Sequence, residues 1–264
     1  KELESENTKT LQEKISLQDQ LYEILATSAN YYEHLLHEPS GTQALDYLIN
    51  KRRLKLETIS KFNIGYSPEG WETLYSYLVE YKKYSTDLLE QTGMIKRRNK
   101  GNGYYDTFRG RIMIPIKDVQ GRIVAFGGRS LNNQEPKYLN SPETALFSKS
   151  KILFALDQSY KNIRNLDQAI VVEGYFDVIS LHEAGINNTV ASLGTTFSKA
   201  QLRKLLRYTD SKQIVFNFDA DNAGIKATQR MITEIESLVY SGQVQLKILN
   251  LPNGKDADEF IQFN

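Results

Sequence analysis

From residue 169 onward the chain repeats one pattern: a short apolar run, then a longer amphipathic stretch. The runs are Ala169-Ile170-Val171-Val172, Thr189-Val190-Ala191-Ser192, Ile214-Val215-Phe216-Asn217-Phe218 and Val244-Gln245-Leu246-Lys247-Ile248-Leu249. Each has the length and β-branched or aromatic content of a strand. Between them lie a helical stretch through His182, a second from Lys199 to Arg207 and a third from about Ala223 to Val239. A helix between two strands returns the chain to the same end of the sheet, so the strands pair in parallel. The βαβαβαβ rhythm therefore predicts a small, mostly parallel α/β sheet with helices on both faces.

The rest of the chain reads differently. Residues 1–93 are mostly helical in pattern, with Leu21, Tyr22, Ile24 and Leu25, then Tyr31, Tyr32, Leu35 and Leu36, at helical spacing. The segment before Leu21 is polar enough for an exposed or frayed helix. Ser40-Gly41 interrupts the pattern, and Pro68-Glu69-Gly70 makes a turn before a further helix through Trp71, Leu74, Tyr75 and Leu78. Trp71 is read as a core anchor. In the middle, Arg111 to Ile116 and Arg122 to Phe126 form a candidate β-hairpin, with Pro115 predicting an edge or bulged strand. The chain thus divides into an α+β part over 1–164 and the α/β part over 165–264. His34, His37 and His182 lack metal-ligand spacing and are read as structural.

Bulk properties narrow the class. The 264 residues include no cysteine, which excludes disulfides and any cysteine-held zinc. No run of apolar residues is long enough to span a membrane. The start at Lys1, polar and without Met, reads as a piece of a longer protein. The net charge of +1 hides segregation: 10 Lys/Arg against 15 Asp/Glu in 1–93, 14 against 5 in 94–164, and 9 against 12 in 165–264. A basic middle between acidic flanks suggests a polyanion-binding surface, although surface lysines also cluster by chance.

The acidic residues sit where an open α/β sheet binds its ligands, beyond the carboxyl ends of the strands. Glu173 follows the first strand and Asp177 lies four residues on; Asp219 and Asp221 follow the third; Asp256 and Asp258 follow the fourth. Gathered carboxylates raise each other's pKa values unless a cation compensates them, and oxygen-only donors favour Mg2+ or Mn2+. Helix capping is the alternative for Asp177, Asp221 and Asp258. Gly174 and Gly224 either admit a phosphate closely or simply start helices.

These residues resemble a known domain. Glu173-Gly174-Tyr175-Phe176-Asp177-Val178, Asp219-Ala220-Asp221 and Asp256-Ala257-Asp258 are similar to the TOPRIM domain of topoisomerases, primases and some nucleases. Their order, with Val190 to Thr195 between the first two, resembles the DnaG-type bacterial primases. So do the upstream stretch Phe108 to Ile116, Gly127-Gly128-Arg129, Pro136 to Thr144, and Lys149 in Phe147-Ser148-Lys149. Ala220 departs from the glycine common there. The family's zinc-binding and helicase-binding domains are not in this segment.

The resemblance implies the catalytic core of a replicative primase, a nucleotidyltransferase that copies a single-stranded DNA template into a short RNA primer from ribonucleoside triphosphates. Glu173, Asp219 and Asp221 would hold Mg2+, with Asp177, Asp256 and Asp258 as further ligands or their supports. Arg109, Arg111, Arg129, Lys137, Tyr138 and Lys149 would contact template and nucleotide. The replicative helicase would be a partner through the missing domain, and the bacterial cytoplasm the location. Against this, Arg109 and Arg111 could both face solvent from a hairpin, and Tyr138 could merely pack in a turn. Two other classes remain: a TOPRIM nuclease or topoisomerase, and a non-catalytic single-strand-binding module.

Overall fold

A computed structural model describes residues 2–99, 101–132, 134–193, 197–218, 222–251 and 256–263. In chain order the elements are α1 (Glu2–His37), α2 (Thr42–Asp46), α3 (Leu56–Lys61), β1 (Gly65–Ser67), α4 (Thr73–Ser76), α5 (Thr86–Gln91), β2 (Ile95–Arg97), β3 (Tyr104–Asp106), β4 (Arg111–Lys117), β5 (Ile123–Ser130) and β6 (Tyr138–Asn140). They continue through α6 (Leu156–Leu166), β7 (Gln168–Val172), α7 (Tyr175–Glu183), β8 (Thr189–Ala191), α8 (Lys199–Leu205), β9 (Gln213–Phe216), α9 (Asn222–Tyr240), β10 (Gln245–Ile248) and α10 (Ala257–Phe263). Two compact units result. The first comprises Lys1–Tyr47, Ser60–Ile116 and Arg122–Phe147; the second comprises Leu48–Ile59, Lys117–Gly121 and Ser148–Asn264. A division between 164 and 165 instead falls inside α6, whose Leu156 and Ile163 belong to the core of the second unit.

In the first unit a sheet of order β1-β4-β5-β6 carries α1. Leu21, Ile24, Leu25, Ala29, Tyr32 and Leu36 recur at three- and four-residue steps and are all buried, so α1 docks by one apolar stripe. From Gln12 to Gln20 the same helix is exposed throughout. Gly65 in β1 is needed because a Cβ there would lie 2.5 Å from the backbone of Tyr32, closer than any side chain permits. Pro115 is expected on an edge or bulged strand, and β4 lies inside the sheet. The proline is tolerated because β1 pairs only with Arg111, Ile112 and Met113, so its ladder ends before Pro115. The helical reading of 1–93 also missed β1, whose three residues are too few to show a period.

The second unit matches the predicted rhythm: a parallel sheet of order β10-β9-β7-β8. The central β7 buries Ala169, Val171 and Val172, consistent with cover on both faces. Its core joins Val171, Val190, Ile214 and Phe216 to Leu202, Leu205, Met231 and Ile235 from the helices. Phe216 is fully buried, edge-on to Phe197 at 4.9 Å, so truncation to alanine would cost about 3–5 kcal/mol. Ser198 starts α8 with a capping box: its Oγ accepts from the Gln201 N–H (3.1 Å) and its own N–H donates to Gln201 Oε1 (2.9 Å). His182 is structural, buried beside Ser159 Oγ (3.2 Å) and the Thr189 carbonyl (3.1 Å).

Candidate active site

Parallel pairing brings the acidic segments to one edge of the second unit's sheet. Val171 of β7 lies opposite Phe216 of β9, and Ile248 of β10 lies opposite the same Phe216, so the three strands leave the sheet together. Glu173 is the first residue beyond β7 and is half-buried. Beyond β9 the described chain runs to Phe218; Asp219 and Asp221 lie outside the described residues, as do Ala220, Gly194 and Thr195. Leu193, buried just past β8, is left-handed at φ 63°, a costly conformation for leucine and one that concentrates at functional sites.

Of the other three acids, Asp177 and Asp258 have both carboxylate oxygens bonded within the protein, and Asp256 has one. Asp177 Oδ2 accepts from the Gly174 N–H (2.9 Å) and its Oδ1 from the Asp258 N–H (3.4 Å), so it closes the first turn of α7. Gly174 is the N-cap of that helix, and Gly224 falls in the first turn of α9. Asp256 Oδ1 accepts from the Glu259 N–H at 2.7 Å, capping α10. Asp258 is 1% exposed. Its Oδ1 accepts from Ser180 Oγ and from Gln262 Nε2 (2.6 Å), and its Oδ2 from the Arg52 guanidinium. Among the described residues no group of three acids or histidines is placed to hold a metal ion.

The basic candidates divide as sharply. Arg111 is expected to contact template or nucleotide, or else to face solvent. It is instead 4% exposed, and its guanidinium donates to the carbonyls of Gly128 (3.1 Å) and Pro136 (2.9 Å). Gly128 lets it pass, because a Cβ there would meet Arg111 Cδ at 2.9 Å and the Phe108 ring at 2.8 Å. Burial, with Arg109 nearby, lowers the Arg111 pKa, and its two carbonyl bonds tie β4, β5 and the chain before β6 together. Arg129 pairs with Tyr138 across β5 and β6, which sets the two side chains on one face. The Arg129 guanidinium also lies 4.1 Å from the Tyr47 ring centroid. Lys137 and Tyr138 are exposed. Lys149 belongs to the second unit, where its carbonyl accepts from Gln201.

Trp71 overturns the core-anchor expectation: it is 57% exposed. It precedes α4, whose Leu74, with Leu78 just beyond, supplies the buried contacts. Arg109 lies over its ring at 4.2 Å, and Tyr105 meets it edge-on at 5.6 Å. Asp106, missed in the sequence, fixes this corner. Its buried carboxylate accepts from the Leu74 N–H (2.8 Å) and Tyr75 N–H (2.9 Å), and its own N–H donates to the Trp71 carbonyl (2.7 Å). Burial pushes its pKa up to about 6, against the lowering effect of those amides and of Arg109.

A four-stranded parallel sheet with acidic segments leaving one edge defines a TOPRIM-class unit, and the comparisons carry this further. Residues 31–160 match the family model "DNA primase catalytic core, N-terminal domain", and residues 170–261 match "Toprim-like". The DNA primase of Synechocystis sp. is 61% identical over 98% of this chain, and that of Synechococcus elongatus 55% over 98%. The chain spans 41% and 38% of those proteins. A solved structure of the DnaG primase catalytic domain bound to ssDNA is 35% identical with a TM-score of 0.82, covering 94% of this chain and 76% of that one. A DNA primase domain from Pseudomonas aeruginosa is 36% identical, TM-score 0.83, over 92% and 74%. The chain belongs to the DnaG-type DNA primase catalytic core family.

Proposed function

We propose that this chain performs template-directed synthesis of short RNA primers on single-stranded DNA by metal-dependent nucleotidyl transfer. The observation that carries the reading is the 0.82 TM-score over 94% of the chain to a DnaG catalytic domain bound to ssDNA. The acidic sheet edge and the exposed cations of the first unit supply the chemistry that such a reaction needs. Ribonucleoside triphosphates are the substrates on this reading, the RNA primer is the product, and the bacterial cytoplasm is the location. A replicative helicase would be engaged through a domain outside this segment.

Glu173, Asp219, Asp221 and Asp256 are the residues that would hold Mg2+ or Mn2+, since all offer hard oxygen donors on segments leaving one strand edge. Bound there, the metal would lower the pKa of the attacking hydroxyl and offset charge on the leaving pyrophosphate. Asp177 and Asp258 support that edge from within. Arg109, Arg129, Lys137 and Lys149 contribute phosphate contacts, which position a strand without reading its sequence. Tyr138 offers a face for stacking a base, as does Trp71 with Arg109 already lying over it. The test is incorporation of labelled ribonucleotide on a single-stranded template with and without Mg2+. Metal-dependent primers are expected; incorporation that ignores both metal and template would overturn the reading.

A further inference from the structure

Arg52 lies far from every acidic motif in the sequence, in the basic run Lys51-Arg52-Arg53 that ends a π-helical turn. In the second unit its guanidinium pairs with Asp258, 206 residues away, and stacks on the Phe176 ring at 4.4 Å. The pair is enclosed, with the Arg52 side chain 17% and the Asp258 side chain 2% exposed. Neighbouring contacts tie the same segment to the same two helices. Arg53 Nη1 donates to the Gln262 carbonyl near the end of α10 (2.7 Å), and Lys55 Nζ pairs with Glu183 at the end of α7 (3.0 Å).

Three partners take up the Asp258 carboxylate. A carboxylate has about four acceptor positions, and here Ser180, Gln262 and Arg52 occupy three while burial closes off solvent. A metal ion would have to reach the one remaining position in a buried carboxylate whose charge the guanidinium already neutralises. The Asp258 N–H also donates to Asp177, so side chain and backbone together hold the start of α10 on the first turns of α7. Asp256 is two residues before this anchor.

We propose that Asp258 is an anchor and not a metal ligand, and that Arg52 and Ser180 are positioning residues. Through Asp258 they set the place of the last acidic segment at the sheet edge. The inference rests on the metal-site reading above, so its test has one arm without metal.

The first arm is a double-mutant cycle on thermal unfolding in EDTA with Arg52→Ala, Asp258→Asn and the double variant. Arg52→Ala leaves a buried carboxylate uncompensated, so its loss of Tm should exceed that of Asp258→Asn, and Asp258→Asn should rescue it in the double variant. Additive losses would overturn the anchor. The second arm is Mn2+ binding followed by electron paramagnetic resonance on the same variants, each checked for folding by circular dichroism. Arg52→Ala should weaken Mn2+ binding about tenfold or more, the range seen when a residue that orients a ligand is lost. Asp258→Asn should leave the number of bound ions unchanged and the affinity nearer wild type. Tighter binding in Arg52→Ala, or loss of an ion in Asp258→Asn, would make Asp258 a ligand and sink the proposal. If Arg52→Ala does not fold, Arg52→Lys takes its place, keeping the charge and losing the planar fork. If the wild type binds no Mn2+, the metal site fails while the EDTA cycle still decides the anchor.

Discussion

Arg111 in the first unit and Asp258 in the second belong to motifs that suggest contact with a ligand, and each is buried as an internal clamp. The two clamps are satisfied differently. Arg111 is held by neutral carbonyls of Gly128 and Pro136 and keeps its charge without a carboxylate bonded to it. Asp258 is matched by an opposite charge, Arg52. A cation among carbonyls still contributes a positive field to its unit, whereas an ion pair contributes little beyond its own neighbourhood. The basic stretch 94–164 therefore keeps its positive charge while one arginine serves the fold. The second has fewer acids free for a metal than its motifs suggest.

That contrast can be broken or sharpened experimentally. The largest effect is expected for Asp219→Ala or Asp221→Ala, which should abolish primer synthesis and leave the thermal transition near wild type. Full activity in either variant would remove the metal role from this segment. Next, Arg111→Ala should cost about 3 kcal/mol of stability, since it strands buried carbonyl oxygens. Weaker ssDNA binding with unaltered urea unfolding would return Arg111 to the residues that contact the template.

Asp106 sharpens the comparison as a buried acid that lacks an arginine partner of the Arg52 kind. Its pKa is raised from 3.8 when unfolded to about 6 when folded, so the folded chain holds the proton more tightly. The stabilisation is fully present below pH 3.8 and is lost as pH rises to about 6, up to roughly 3 kcal/mol. Urea unfolding of Asp106→Asn across this window should show a flatter pH profile than wild type; parallel profiles would place the titration elsewhere. The smallest effect belongs to exposed Lys137: Lys137→Ala should reduce the salt slope of ssDNA binding by about 0.7, one phosphate's share on a single strand. An unchanged slope would take Lys137 off the binding path.

Most of the second unit was legible in the sequence because strand and helix periods are local. Four apolar runs, each followed by a turn or helix, leave a parallel sheet as the simple packing, and the register of β7, β9 and β10 realises it. The first unit was harder to read. β1, β2, β3 and β6 have three residues each, too short for a period, and depend on partners distant in sequence. Trp71 shows the same limit: its helix-like spacing with Leu74 and Leu78 suggested burial, but α4 begins only at Thr73.

Local pattern and ordered motifs determined the α/β class, the absence of cysteine ligation, the segregation of charge and the family. The fate of individual charges was decided by tertiary structure alone. Whether Asp258 faces a metal or Arg52, and whether Arg111 faces a phosphate or two carbonyls, depends on residues up to 206 positions away. A buried charge must find its partner wherever the fold brings one, and that partner leaves no local trace in the sequence.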